Sequence, residues 1–309
     1  MKIIMADIGK IVFLNNDTID KFIDTAFSSG CVALDTEFVS ESYFAQLSLI
    51  QFSFGDNEKY VLDFLDKSWD LSKICTVLTS KFITKVIHSA GRDVEAIKYA
   101  FGVDVFPVMD TQLMAQELGY GEQTSYAFLV ERFFGIVLDK KYQYSNWMKR
   151  PIDEDRLMYA SLDVYYLMDI YGRMYIDLDS KQMENVAKSA NDLLRRSIIK
   201  KTPMERWKKF KNKESVKNLR MSSADKVVLK GIFLLREYVA IKHNMLSRLI
   251  LSDKMMFSLA VTRSLDVNKL KSIAKLPPFL EHKDIISFIR TIRSGQYNVI
   301  GVPVDQEIL

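Results

Sequence analysis

Cys31-Val32-Ala33-Leu34-Asp35-Thr36-Glu37-Phe38 is the stretch on which the fold turns, an apolar run ending in two carboxylates one residue apart. Residues two apart on a strand point to the same face, so Asp35 and Glu37 project together. Two carboxylates on one face repel each other unless a cation sits between them, which makes the pair attractive to a hard divalent metal. Most Asp-x-Glu pairs are nevertheless simply solvated, so the surroundings have to decide.

Working outward, Ile11–Leu14 reads as a short strand and Thr18–Phe27 as a helix closed by Ser28-Ser29-Gly30. On the other side, Ala45–Phe54 alternates polar and apolar residues with period two, which predicts a half-buried strand. The turn Gly55–Glu58 and the run Lys59–Asp63 complete a hairpin. Lys85–His88 predicts a further strand, followed by a helix from Arg92 to Phe101 and a strand over Val103–Val108. Helices are expected at Thr111–Leu118, Thr124–Phe134, Asp153–Tyr175 and Leu178–Ile199, with Pro151 just ahead of the third. Such an alternation is of the α/β class, a mixed sheet flanked by helices.

The predicted organisation is a first domain over residues 1–199, a basic linker over 200–217, a small all-α domain over 218–295 and a tail over 296–309. The linker carries Lys200, Lys201, Arg206, Lys208, Lys209, Lys211, Lys213 and Lys217 against Glu205 and Glu214. Such a segment suits phosphates, and Lys208 and Lys209 are its candidate contacts. A solvated charged linker accounts for the same residues, and the net charge of +4 does not choose between them.

Hydrophobic content of 48% and charged content of 27% set aside disorder, collagen-like repeats and a disulfide scaffold. Cys31 and Cys75 lie far apart without CxxC spacing, which argues against a thiolate zinc site and for a reducing compartment. The apolar run before Asp7 is too short for a signal peptide, and no apolar stretch approaches the ~20 residues that span a bilayer. The expectation is a cytoplasmic protein with no membrane partner.

Two further features bear on Asp35 and Glu37. Tyr159 and Asp163 lie four apart in a helical pattern and so share a face. Asp93 opens the helix that follows His88-Ser89-Ala90-Gly91, a place where an acidic residue also suits the helix dipole. Asp35-x-Glu37, Asp93 and Tyr159-xxx-Asp163 resemble, in order, the three motifs of the DEDD exonucleases. With Met158 where the sister branch has histidine, the tyrosine points to the DEDDy branch. Leu49-Ile50-Gln51, Asp110–Ala115, Tyr126–Gly135, Asn146–Pro151 and Tyr159–Val164 narrow the resemblance to the ribonuclease D family, over residues 10–195.

That resemblance implies a ribonuclease H-like fold and a 3′→5′ exoribonuclease with two divalent ions, Mg²⁺ or Mn²⁺. Asp35, Glu37, Asp93 and Asp163 would hold the ions, Asp35 bridging them, and Tyr159 would orient the attacking water. RNA with a free 3′-OH end, tRNA precursors in particular, is the implied substrate of a monomeric enzyme. His88, Gln112 and Tyr126 are placed along the substrate path from position alone. Leu234–Tyr238, Leu249–Asp253 and Leu270–Ile273 resemble an HRDC domain, of which one copy fits where longer relatives carry two. A DNA exonuclease and an inactive RNA-binding scaffold are the competing readings.

Overall fold

The structure, a computed structural model, describes residues 9–139, 141–198, 202–263 and 266–294. The chain divides into two compact units, one of residues 1–40 and 45–199 and one of residues 41–44 and 200–309. Lys200, Lys201 and the tail expected over 296–309 lie outside the described residues.

The first unit opens with β1 (Lys10–Phe13) and α1 (Ile19–Ser29). Gly30 ends α1 in the left-handed region, φ 66°, and returns its N–H to Ala26, a conformation that glycine adopts without a Cβ clash. Next come β2 (Cys31–Val39), β3 (Gln46–Ser53), β4 (Glu58–Asp63), a 3₁₀ turn, α2 (Cys75–Leu78), β5 (Thr84–Ile87), α3 (Gly91–Phe101) and β6 (Val108–Asp110). The unit closes with α4 (Thr111–Glu117), α5 (Tyr126–Phe134), α6 (Glu154–Tyr165), α7 (Leu167–Asp177) and α8 (Ser180–Ile198). The strands form one mixed sheet in the order β1-β4-β3-β2-β5-β6, antiparallel across β4, β3 and β2 and parallel elsewhere.

Side-chain alternation along β2 and β3 feeds two cores. Val32, Leu34, Ile50 and Phe52 pack with Phe22 of α1 and Val94 and Ile97 of α3. Ala33 and Val86 pack with Val164 and Leu167, and Leu49 and Val61 pack with Trp147 and Ala160. Each large apolar side chain buried this way contributes about 1.5–3 kcal/mol of transfer free energy. Covered on both faces, β3 is buried from Leu47 to Ser53 rather than half-buried. Its alternating polar residues, Ser48, Gln51 and Ser53, are small or neutral and are buried with the rest.

Two other expectations change. The strand predicted over Val103–Val108 shrinks to Val108–Asp110, because Pro107, which has no N–H to offer a ladder, ends the stretch before it. The helix predicted over Asp153–Tyr175 is broken in two at Tyr166. Near the β6 edge, Lys85 is fully buried and donates to the carbonyls of Val77, Ser80, Ile83 and Phe106, at 3.3, 2.9, 2.7 and 2.6 Å. Removing that ammonium strands several buried acceptors at once. Lys85→Met is therefore expected to lower unfolding free energy by about 3–5 kcal/mol, read from the urea midpoint.

The described elements of the second unit are all helices, as the HRDC resemblance implies. It comprises α9 (Pro203–Lys211), α10 (Glu214–Lys217), α11 (Ser223–Lys242), α12 (Ser247–Ile250), α13 (Asp253–Val261), α14 (Val267–Ile273) and α15 (His282–Arg293). Its core gathers Ile232, Leu259, Leu270, Ile285 and Ile289. The stretch expected as a basic linker is helical over α9 and α10. Thr202 and Glu205 form a capping box around Pro203, and Trp207 and Phe210 pack their buried rings against Phe233. The charges that dominated its composition sit on the other side of the helix, where Lys208 and Lys209 are exposed. Tyr43 belongs to this unit too, with the Arg206 guanidinium 4.3 Å from its ring centre. Among the described residues no helix is long and apolar enough to cross a membrane.

Candidate metal centre

Asp35 and Glu37 leave β2 on one face, as their spacing requires, with Gln51 and Leu49 opposite them on β3. A register shift follows directly after Glu37, so the pairing changes just beyond the second carboxylate. Across that face runs α6. Asp153 caps it by accepting from the Arg156 amide at 3.0 Å, while the Arg156 side chain donates to Asp153 at 2.8 Å and to the Asn146 carbonyl at 2.6 Å. The small buried residues Ala160 and Ser161 line this helix. One turn after Tyr159, Asp163 joins the strand carboxylates, and ligand oxygens of Asp35, Glu37 and Asp163 all lie within 4.8 Å of one another.

Asp93 approaches differently. It stands in the first turn of α3, buried, and accepts from the Thr36 hydroxyl at 2.5 Å. Thr36 lies between the two strand carboxylates and, by alternation, on the opposite side of β2. Asp93 is thus tied to the same strand without being one of the three clustered groups.

Burial raises every one of these carboxyls, and repulsion from neighbouring carboxylates adds to it. Asp35 is held well above the usual carboxylate range by burial, then by Asp93, Asp163 and Glu37. Glu37 is pushed up to about 9 by burial, then by Asp163 and Asp93. Asp163 is pushed up to about 7 by burial and Asp93, and burial takes Asp93 to about 7 against the pull of Thr36. An all-oxygen donor set of like charges, costly to ionise together, fits a hard divalent cation and not a thiophilic one.

Tyr159 is fixed by its neighbours, with Trp147 and Tyr142 at ring distances of 6.2 and 6.1 Å. Burial, then Asp163, raises its phenol far above the ordinary tyrosine value. Trp147 is in turn anchored by Arg150, which donates to both Asp63 oxygens at 2.7 and 2.6 Å, to the Trp147 carbonyl at 2.7 Å and to the Ser48 hydroxyl at 3.0 Å. The sequence pointed to Asn146–Pro151 as a motif but assigned these residues no task. Asp63 and Ser48 carried no signal beyond their place in a strand. Asp110 opened a quoted motif without being assigned a task, yet its carboxylate accepts from the amides of Ser89, Ala90 and Gln112 at 2.9, 2.9 and 2.8 Å and so shapes the turn that launches α3 and Asp93.

The residues expected along a substrate path have partners within the unit. His88 uses both ring nitrogens, on the Thr111 hydroxyl at 2.9 Å and the Thr124 carbonyl at 3.0 Å. Gln112 donates to the same Thr124 carbonyl at 3.0 Å. Tyr126 starts α5 and places its hydroxyl between Leu162 and Tyr166. Lys208 and Lys209 stand on α9 of the second unit.

A family model described as a 3′-5′ exonuclease matches residues 11–179. The ribonuclease D of Bartonella henselae is 33% identical over 254 residues, covering 82% of this chain and 61% of that protein. That of Gluconacetobacter diazotrophicus is 32% identical over 244 residues, covering 78% and 60%. The chain thus spans about three fifths of the length of these curated relatives. Among solved structures, Escherichia coli RNase D, described as an exoribonuclease involved in structured RNA processing, superposes with a TM-score of 0.78. It is 22% identical over 93% of this chain and 75% of its own, which is a likeness of fold.

Proposed function

Because the chain belongs to the 3′-5′ exonuclease family, we propose that it is a metal-dependent exoribonuclease of the ribonuclease D kind, releasing 5′-mononucleotides one at a time from RNA 3′ ends. The observation that carries this reading is the trio Asp35, Glu37 and Asp163 within 4.8 Å, with Tyr159 one helical turn before Asp163. RNA is favoured as substrate by the curated ribonuclease D relatives. Precursors of tRNA with a free 3′-OH are the proposed targets of a monomer working in the cytoplasm.

Asp35, Glu37 and Asp163 would hold Mg²⁺ or Mn²⁺, with Asp93 supporting a second ion from its place beside Thr36. Two such ions supply an activated water and neutralise the charge that develops on the phosphate. The chain's own part is to keep carboxylates that resist ionisation gathered on β2 and α6 until a cation makes their charge favourable. Tyr159, with its pKa raised, stays protonated at physiological pH and acts as a hydrogen-bonding guide for the water, not as a base.

Tyr159→Phe keeps the ring contacts and removes only the hydroxyl. It is expected to lower kcat by about 10²-fold with KM for RNA unchanged, checked by steady-state kinetics at saturating Mn²⁺. The activity itself is tested with 5′-labelled tRNA bearing a short 3′ extension. A ladder of one-nucleotide steps that disappears with EDTA supports the proposal. A ladder on single-stranded DNA alone would replace it with a DNA exonuclease, and RNA binding with no shortening of either would make the chain a scaffold.

A further inference from the structure

The break between α6 and α7 is made by a side chain. In an uninterrupted α-helix the Tyr166 amide would donate to the Leu162 carbonyl, four residues back. Here the Tyr126 hydroxyl stands at both ends of that bond. It donates to the Leu162 carbonyl at 2.9 Å and accepts from the Tyr166 amide at 3.1 Å. The amide also turns toward the Val164 carbonyl. Insertion of a polar group into the hydrogen-bond ladder is one of the few established causes of a sharp helix bend. Tyr166 is left as the single residue separating the two helices.

Leu162 immediately precedes Asp163, so the inserted phenol grips the last turn of α6 beside the carboxylate. The phenol is itself held. Its ring packs against the cluster that holds Val164 and Leu167 and lies 5.9 Å from the ring of His88. Hydrogen bonds at both His88 nitrogens, with the Thr111 hydroxyl and the Thr124 carbonyl, fix that imidazole in place. A hydroxyl so constrained acts as a spacer of defined length between the backbone of α5 and the end of α6.

Resting on the metal-dependent reading above, we propose that Tyr126 is a positioning residue for Asp163. By wedging α6 from α7 it sets the direction in which that carboxylate is offered to the metal, and with it the metal affinity. Groups behind a metal ligand commonly govern affinity by about 10–100-fold.

The test is a calorimetric titration of the metal-free full chain with Mn²⁺, comparing wild type, Tyr126→Phe and Val130→Ala. Phenylalanine keeps the ring and removes only the inserted hydroxyl. Val130→Ala removes buried bulk from the same helix and leaves the inserted hydroxyl in place. Tyr126→Phe is expected to bind Mn²⁺ about 10-fold or more weakly, with kcat on RNA recovering as Mn²⁺ is raised to saturation, while Val130→Ala binds like wild type. Wild-type affinity in Tyr126→Phe overturns the proposal. So does an equal loss in Val130→Ala, which would reduce the effect to general destabilisation, and so does a wild type that takes up no Mn²⁺. The titration needs no substrate, so a chain that binds Mn²⁺ but shortens no RNA refutes the exoribonuclease reading alone.

Discussion

Asp163→Ala is expected to lower RNA shortening by about 10³-fold or more, since losing a metal ligand forfeits several kcal/mol of transition-state stabilisation at 1.36 kcal/mol per tenfold. Asp163 is the only member of the trio that comes from a helix, the other two sharing β2. Without it the strand offers a pair of carboxylates with no third one from α6. The substitution also removes a buried acid, so the variant is expected to remain folded and its loss to be one of Mn²⁺ binding and turnover. Circular dichroism and the ladder assay at several Mn²⁺ concentrations check this. Retention of more than a tenth of wild-type turnover would show that Asp163 is not a ligand.

The second large effect is on the stability of the metal-free protein. Glu37 has a folded pKa of about 9 against an ordinary 4.5, and Asp93 and Asp163 sit at about 7 against 3.8. A carboxyl raised on folding stabilises the fold while it is protonated. That contribution is full below the unfolded value and is lost as pH climbs through the folded one. The window therefore runs from about pH 4 to about pH 9. His88 and Lys85, both lowered by burial, pull the opposite way near neutrality. Glu37→Gln isolates the acidic part. In EDTA at pH 8.5 it is expected to melt roughly 10 °C above wild type, on the order of 3 kcal/mol. Saturating Mn²⁺ should reverse the order, because only the wild type then regains its ligand. Equal melting temperatures in EDTA would mean that the carboxyls do not strain the fold.

The α/β class, the strand bearing Asp35 and Glu37 and the helix bearing Tyr159 and Asp163 were legible because each rests on local periodicity. What escaped depends on tertiary contacts. The alternation in β3 says nothing about α6 covering its second face, so burial of Ser48 and Gln51 was invisible. No proline lies between Asp153 and Tyr175 and Gly172 falls within α7, so nothing local marks the break at Tyr166, where the Tyr126 hydroxyl enters from forty residues earlier in the chain. The basic segment misled for a different reason. Its lysines outnumber Trp207 and Phe210, but those two rings, at helical spacing, decide which side is buried. The tie from Thr36 to Asp93 joins residues 57 apart and leaves no trace in either neighbourhood.

The two outer strands of the sheet are short, β1 with four residues and β6 with three. An exposed strand edge is a template on which other chains can add, and brevity together with a flanking proline is how natural sheets deny that template. With Pro107 set against β6, neither border offers a long row of unpaired amides among the described residues. At the high concentrations used for titration, this sheet should resist growing into edge-to-edge aggregates, so colloidal behaviour in the cold and under crowding is set by surface charge instead.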